Sequence, residues 1–438
     1  MSLRIVQAAG WYLPSSTGGT EIYVSELSRR LRAHGHHVLI AAPEALDQAE
    51  RTYDEGGFRV YRYPIPPSPT RDEAQGRVDV RGAERFHEWL RRARPDVVHM
   101  HTFVTGLGLA ELKVAKSLGS KVIATTHSAS LGFTCQRGTM MRWGTTLCDG
   151  LAKPAKCAAC QLHHGGMARP LALAASLVPP SLGKIGRSVP GRLGTVIGMS
   201  ELITHNAKAQ REMLGLVDRF VVLTDWARDV LLANGAPAEK IALNRLGVRF
   251  PNSQPAGRRS VAPVTIAYIG RFDPIKGVTD LARAISMTSR SAPIRFEFHG
   301  PVRYRQDISV LDGIKAVIGS EAWATFGGEL DAPGVRALLA RVDVVCCPSR
   351  VVEGGPTVAL EAHAAGVPVV GSDLPGLSEI VRDGVNGRLY PVGNARALAA
   401  ILNEIADEPE TINRWRENLP AVRTMDDVTR DYLEMYAA

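Results

Sequence analysis

The sequence predicts an α/β protein made of two Rossmann-like, doubly wound domains facing each other across a cleft. Three observations predict it. Short apolar, strand-like runs alternate with helical patterns in two successive series along 438 residues. A polar, turn-rich stretch, Pro251–Ser260, separates the series, and a glycine turn follows the first strand of the first series.

In order, Leu3–Ala9 is an apolar run, Ser16-Thr17-Gly18-Gly19-Thr20 a turn, and Ile22, Val24, Leu27 and Leu31 mark a helix face. Strand, glycine turn and helix form the first unit of a parallel sheet. Strand-like runs recur at Val38–Ala41, Phe58–Tyr63, Asp96–Met100, Lys121–Thr125 and Phe220–Leu223, with helical patterns over 83–94, 107–118, 198–214 and 225–234. A long interruption at 128–195 breaks the alternation. After Gly247-Val248 and the linker, strands at Val264–Ile269, Ile294–Phe298, Asp343–Cys347 and Val367–Gly371 interleave with helical patterns at 277–289, 332–341, 357–365 and 395–406. The expected domains are therefore 1–247 and 248–420, with a C-terminal helix at 421–438 packing back on the first. Open α/β sheets bind ligands outside the carboxyl ends of their strands, so the cleft is the expected active site.

Composition excludes a disordered or fibrous chain, at 45% hydrophobic and 22% charged residues. No stretch approaches the ~18 uninterrupted apolar residues of a membrane span, and the opening Met1–Ala9 is too short and too strand-like for a signal peptide. The cytoplasm is the expected location, with the inner membrane face as a peripheral site. The net charge of +8 comes from basic residues dispersed along the chain. It suits a phosphate-bearing ligand, an anionic membrane or nucleic acid, and equally a solvated basic surface.

Four elements carry chemistry. Glu353-Gly354-Gly355-Pro356-Thr357-Val-Ala-Leu-Glu361 places one glutamate in a loop and the other about one turn inside a helix that opens at Pro356-Thr357. Free N–H groups at such a helix start suit a phosphate, and the two glutamates can face one ligand from different heights. Gly270-Arg271-Phe-Asp-Pro-Ile-Lys276-Gly277 offers a guanidinium fork and a point charge that can clamp a diphosphate. Gly18-Gly19 lets backbone N–H groups approach a phosphate closely. His127 ends the strand at Lys121–Thr125. Each also has a plain reading as a surface charge, a turn or a packed histidine.

Together with Gly247-Val248, Gly300-Pro301, Gly327, Pro348-Ser349, Gly366-Val-Pro368 and the glycines from Gly376 to Gly387, these residues resemble the retaining nucleotide-sugar glycosyltransferases of family 4, with the GT-B fold. The resemblance covers nearly the whole chain outside 128–195. It implies that Glu353 binds donor-sugar hydroxyls, Glu361 the ribose, and Arg271 with Lys276 the diphosphate. Gly19, Gly355 and Thr357 would add backbone donors, Gly300 and the Gly327–Leu330 loop would lie near the base, and His127 by the anomeric carbon. UDP or GDP is the expected carrier, and no metal is expected in catalysis, since no Asp-x-Asp pair lies near the proposed phosphates. The acceptor is expected to be a hydroxyl of a glycan, a lipid-linked sugar or a small metabolite, and no nucleic-acid partner is expected. Two departures from the family pattern are Arg249 after Gly247-Val248, expected near the hinge and away from the chemistry, and His363 in place of a methionine.

Cys135-x12-Cys148-x8-Cys157-x2-Cys160 in the interruption has the four thiols of a structural zinc site, with an iron–sulfur cluster or disulfides as alternatives and His163 or His164 as substitute ligands. The stretch from Met167 to Leu193 carries Leu171, Leu173, Leu177, Val178 and Leu182 among Arg169, Lys184, Arg187 and Arg192, with no acidic residue. It reads as a helix lying on an anionic membrane, a wall of an apolar acceptor pocket, or a covered hairpin. Rival functions are a nucleotide-sugar epimerase or phosphorylase of similar fold, and a non-enzymatic binder of anionic polymers or membranes.

Overall fold

A computed structural model describes residues 2–45, 49–249, 260–289, 291–319 and 323–438. The linker expected at Pro251–Ser260 lies, apart from Ser260, outside these residues. The chain divides into two compact units, one of Met1–Gly144, Cys148–Arg245 and Met425–Ala438, the other of Thr145–Leu147 and Leu246–Thr424.

The first unit is built on strands β1 (Arg4–Ala8), β2 (His37–Ala45), β3 (Arg51–Glu55), β4 (Phe58–Ile65), β5 (Val97–Met100) and β6 (Lys121–Thr125). Two short strands of the interruption come next in chain order, β7 (Met141–Arg142) and β8 (Thr146–Leu147), neither of them in this sheet and the second outside this unit, and then its last strands β9 (Arg219–Val222) and β10 (Ile241–Leu243). The sheet order is β10-β9-β6-β5-β1-β2-β4-β3, parallel except for the pair β3 and β4. Helices on both faces account for the near-continuous burial of Ile5-Val6, Val122–Ala124 and Phe220–Val222. Strand β3 escapes the sequence pattern because Arg-Thr-Tyr-Asp-Glu is a polar edge strand, half exposed. The chain leaves β1 toward β2 on one side and later returns to β5 on the other. The carboxyl ends of β1 and β5 therefore bound the topological switch point, where ligands of such sheets bind.

The C-terminal helix Met425–Ala437 belongs to this unit. It buries Val428, Tyr432 and Tyr436, and Tyr23 in the helix Gly19–Ala33 donates its hydroxyl proton to the Tyr432 oxygen at 3.1 Å.

In the interruption the helices Pro154–His164 and Pro180–Ser188 pack on the long helix Gly191–Leu216, and Arg169–Ala175 packs on Pro154–His164. Ala158, Leu162 and Ala172 join Met199, Leu202 and Ile203 in one cluster. The helix Pro180–Ser188 approaches its neighbour through glycines: a Cβ on Gly186 would lie 2.5 Å from the Gly198 nitrogen. Contact through small residues leaves the large ones outside. Leu171, Leu173, Leu177, Leu182, Ile185 and Leu193 are all exposed, Leu177 by 74%.

The second unit carries β11 (Val264–Ile269), β12 (Ile294–His299), β13 (Ala324–Gly327), β14 (Val344–Cys347), β15 (Val369–Ser372) and β16 (Gly387–Tyr390). They form one parallel sheet in the order β13-β12-β11-β14-β15-β16. Val264, Ile266, Phe296, Phe298 and Val344 lie in the core on one face, and Val345, Val369, Ala359 and Ala362 on the other. Each such valine, isoleucine or phenylalanine contributes about 1.5–3 kcal/mol of burial. Cys346 and Cys347 are small core residues of β14, as the apolar run around them requires. Here the switch point lies between β11 and β14.

Candidate active site

In the second unit the loops after β11 and β14 meet. The first runs through Gly270 and Arg271 into a short 3-10 turn, Pro274–Lys276, and ends at Gly277 with φ +70°. A Cβ at Gly277 would lie 1.7 Å from the Pro348 carbonyl oxygen, so only glycine allows the two loops this approach. The consequence is a direct contact: the Lys276 Nζ donates to Glu353 Oε2 at 2.9 Å, with both side chains largely shielded. The Tyr268 hydroxyl donates to the Arg271 carbonyl at 2.6 Å and fixes that loop from inside. The Arg271 guanidinium points outward, 57% exposed, and reaches Asp273 at 3.4 Å.

Beyond Glu353, Gly354 leads to Gly355 at φ +103° and Pro356, which caps the helix Thr357–Ala364 without a side-chain hydrogen bond. The N–H groups of Thr357 and Val358 precede the first helical bonds and point out of the helix start. Glu361 sits one turn in. Its Oε1 accepts from the Arg249 guanidinium at 2.9 and 3.3 Å. This corrects the expectation for Arg249: it holds one of the two paired glutamates directly, a contact spanning 112 residues of sequence. His363 is fully buried, its ring nitrogens find no hydrogen-bond partner among the described residues, and burial holds it down at about 4. Gly300 follows β12, where a Cβ would lie 1.9 Å from the Gly270 carbonyl oxygen, and Leu330 packs partly buried beyond β13. The structure thus gathers Arg271, Lys276, Glu353 and the Gly354–Thr357 turn at one switch point.

In the first unit, Gly18 is the extended N-cap of the helix Gly19–Ala33. A Cβ on Gly18 would meet Glu21 Oε2 at 2.8 Å, whereas one on Gly19 would meet nothing, so backbone access rather than packing explains the second glycine. Glu21 accepts the Ser16 hydroxyl, which ties the turn to the helix. His127 lies two residues beyond β6 and packs edge-on against the Tyr23 ring, 4.8 Å between centroids. Burial pulls it down to about 3, so it is neutral at physiological pH.

Sequence reading missed the group behind His127. His101 Nδ1 lies 3.1 Å from His127 Nε2, and His101 Nε2 lies 2.5 Å from Gln7 Oε1. His99, on the same face of β5, contacts the Tyr436 hydroxyl and Thr125 Oγ1, each at 2.7 Å. The available signal was polarity out of place: Gln7 inside an apolar strand and a His-x-His pair ending another.

Cys135, Cys148, Cys157 and Cys160 are free and line one cavity of the interruption. Burial pushes the Cys148 and Cys157 thiols up. Among the described residues no three His, Cys, Asp or Glu side chains come together as a metal-binding group. His163 instead bonds through Nδ1 to the Met167 carbonyl at 2.8 Å. The zinc expectation therefore gains no support from the arrangement of these side chains. No described helix is long and apolar enough to cross a membrane.

Residues 18–182 match the family model described as glycosyl transferase 4-like domain, and residues 251–421 that described as glycosyl transferases group 1. The chain is 25% identical over 398 residues to the phosphatidyl-myo-inositol mannosyltransferase of Mycobacterium leprae, covering 88% of this chain and 83% of that protein. It is 24% identical over 428 residues to the glycogen synthase of Mycobacterium tuberculosis H37Rv, covering 94% and 88%. Among solved structures, Anabaena HepE in complex with UDP-glucose superimposes with a TM-score of 0.64 at 14% identity, covering 99% of both chains. Sucrose-phosphate synthase from Thermosynechococcus elongatus gives 0.65 at 18% identity, covering 99% and 98%. These structural likenesses concern the fold: two Rossmann-like domains with parallel sheets.

Proposed function

The chain belongs to the family 4 glycosyltransferases of GT-B fold, and from that premise we propose that it moves a sugar from a nucleoside diphosphate sugar to a hydroxyl acceptor with retention at the anomeric carbon. The observation that carries the reading is the 2.9 Å contact between Lys276 and Glu353 at the β11/β14 switch point. It sets a cation and a carboxylate side by side, next to a helix start, as a diphosphate joined to a polyhydroxylated ring requires.

In this reading Lys276 and Arg271 take the diphosphate, with N–H groups of the Gly354–Thr357 turn. Glu353 accepts from hydroxyls of the donor sugar and Glu361 from the ribose, while Gly300 and Leu330 flank the base. UDP or GDP is the proposed carrier, and the UDP-glucose complex of HepE supports the uridine form. With Glu353 assigned to the sugar's hydroxyls rather than to its anomeric carbon, the proposed reaction runs on one face. The bond from anomeric carbon to phosphate oxygen breaks, the acceptor oxygen bonds to the same carbon, and the acceptor's proton passes to the departing phosphate. The protein contributes positioning and fixed positive charge, which offset the developing negative charge without a metal.

The acceptor is proposed to be a lipid-linked or other membrane-proximal sugar at the inner face of a membrane. The exposed leucines of the interruption, flanked by Arg169, Lys184, Arg187 and Arg192, support it, because apolar insertion and attraction to anionic headgroups act together. The four thiols of the same segment are proposed to serve its structure rather than the reaction. Proton NMR of the sugar released from an α-linked nucleotide sugar tests the stereochemistry. The α anomer is expected first, and the β anomer first would overturn retention.

A further inference from the structure

With the Gln7 amide oxygen facing His101, the hydrogen bonds behind His127 run in one consistent direction. The Gln7 side chain touches two partners, His101 Nε2 at 2.5 Å through its oxygen and the Tyr436 hydroxyl at 3.4 Å through its nitrogen. The atom facing His101 is the amide oxygen, which can only accept, so His101 Nε2 must be the donor. His101 therefore carries its proton on Nε2. Being fully buried, with two other imidazoles beside it, it is held well below its usual range and remains neutral, so its Nδ1 is a bare acceptor. The atom 3.1 Å from that acceptor is His127 Nε2, which must be the donor. His127 is neutral as well and has one proton to place, which leaves its Nδ1 as a lone pair. That Nδ1 makes no hydrogen bond to any described residue.

The other end of the chain is anchored with equal consistency. Tyr436, receiving the Gln7 amide proton, gives its own to His99 Nδ1 at 2.7 Å, and His99 Nε2 then donates to Thr125 Oγ1 at 2.7 Å. Thr125 Oγ1 lies 2.8 Å from the Tyr432 hydroxyl. The Lys121 ammonium donates to the Tyr436 carbonyl at 3.0 Å, which pins the end of the C-terminal helix to β6. Thus the C-terminal helix holds Gln7, Gln7 orients His101, and His101 orients His127.

We infer that Gln7 and His101 are positioning residues that lock His127 in the tautomer protonated on Nε2, so that its Nδ1 meets the substrate as a hydrogen-bond acceptor. Such an atom recognises a hydroxyl and rejects a carbonyl or phosphate oxygen. Because His127 does not hold a proton near neutrality, its task is to orient a sugar hydroxyl, not to store the proton that moves in the reaction. The functional half of this inference rests on the proposed placement of His127 beside the reacting sugar. The tautomer itself does not.

The test uses the full chain labelled with 15N-histidine, with the His127 signals assigned by their loss in His127→Asn. Two-bond 1H–15N correlation spectra are expected to show a protonated Nε2 and a pyridine-like Nδ1 for His127. Gln7→Met preserves volume and removes the acceptor, so it should give a mixture of His127 tautomers. It should also lower kcat of UDP-glucose or GDP-mannose turnover about tenfold, with KM for the nucleotide sugar within twofold. Gln7→Glu, which restores an acceptor oxygen, should restore the single tautomer and most of the rate. A wild-type His127 protonated on Nδ1, or a tautomer unmoved by Gln7→Met, would overturn the inference. Tautomers that shift as expected with no change in turnover would leave the lock standing and overturn the placement of His127 against the sugar.

Discussion

Acidification from pH 7.5 to 5.0 should loosen the first unit. His99, His101 and His127 are each held below their usual range, chiefly by burial, His127 at about 3. In the unfolded chain they regain a pKa near 6.5. A histidine whose folded pKa is depressed stabilises the fold fully above the unfolded value, and that contribution is lost as pH falls toward the folded one. At pH 5.0 the unfolded state gains about 2 kcal/mol for each histidine that cannot charge in the fold, or about 6 kcal/mol for the three together. That sum is comparable to the whole stability of many domains. The window separates these groups from acids such as Glu201 and Asp218, which are also held low and would begin to matter only below about pH 4.5. Hydrogen exchange followed by mass spectrometry on peptides covering β5 and β6 reads the effect unit by unit. Protection should fall by roughly tenfold for each proton and each pH unit. His99→Gln should flatten the dependence by about one proton. Protection of β5 and β6 that stays level from pH 7.5 to 5.0, after correction for intrinsic exchange, would refute the reasoning.

Three further outcomes follow from the same geometry. Lys276→Ala should raise the barrier by about 2–4 kcal/mol, the cost of a lost charge-stabilising donor, and turnover should survive EDTA; a requirement for added Mg²⁺ or Mn²⁺ in steady-state assays would contradict the second part. Glu361→Gln should raise KM for the nucleotide sugar by about tenfold or more, as a lost charged hydrogen bond implies, with kcat little changed because a ribose contact is the same in ground and transition states. Leu173→Asp with Leu177→Asp should abolish flotation with anionic vesicles while leaving the melting temperature within about 2 °C, since both side chains are exposed; vesicle binding unchanged in the double variant would remove the membrane reading.

Legibility in the sequence followed how locally each feature is encoded. Strands such as β6 and β11, buried on both faces, announce themselves as apolar runs. Strands β3, β10, β13 and β16 do not, being short or at a sheet edge, with residues such as Arg51, Asp54 and Gly387 in place of an apolar pattern. Glu353, Glu361, Arg271 and Lys276 were visible because glycines and a helix start surround them within a few residues. Arg249 was misjudged because its carboxylate partner is fixed by folding, not by spacing. The histidine network was invisible for the same reason: Gln7, His101, Thr125 and Tyr436 come from four separate segments, and only the sheet register and the returning C-terminal helix bring them together. In the interruption, sequence left open whether the leucines are covered. Gly183 and Gly186 settle that by taking the helix contacts themselves.

The central claim is that the second unit binds a nucleoside diphosphate sugar through Lys276, Glu353 and Glu361. Thermal unfolding in EDTA with a panel of UDP- and GDP-sugars tests it most directly, because a ligand present at about 100 times its Kd adds about 2.7 kcal/mol to a fold that alone binds it. At least one sugar should raise the melting temperature by several degrees in the wild type and not in Lys276→Ala. No shift with any UDP- or GDP-sugar, or a shift that Lys276→Ala leaves intact, would contradict the account.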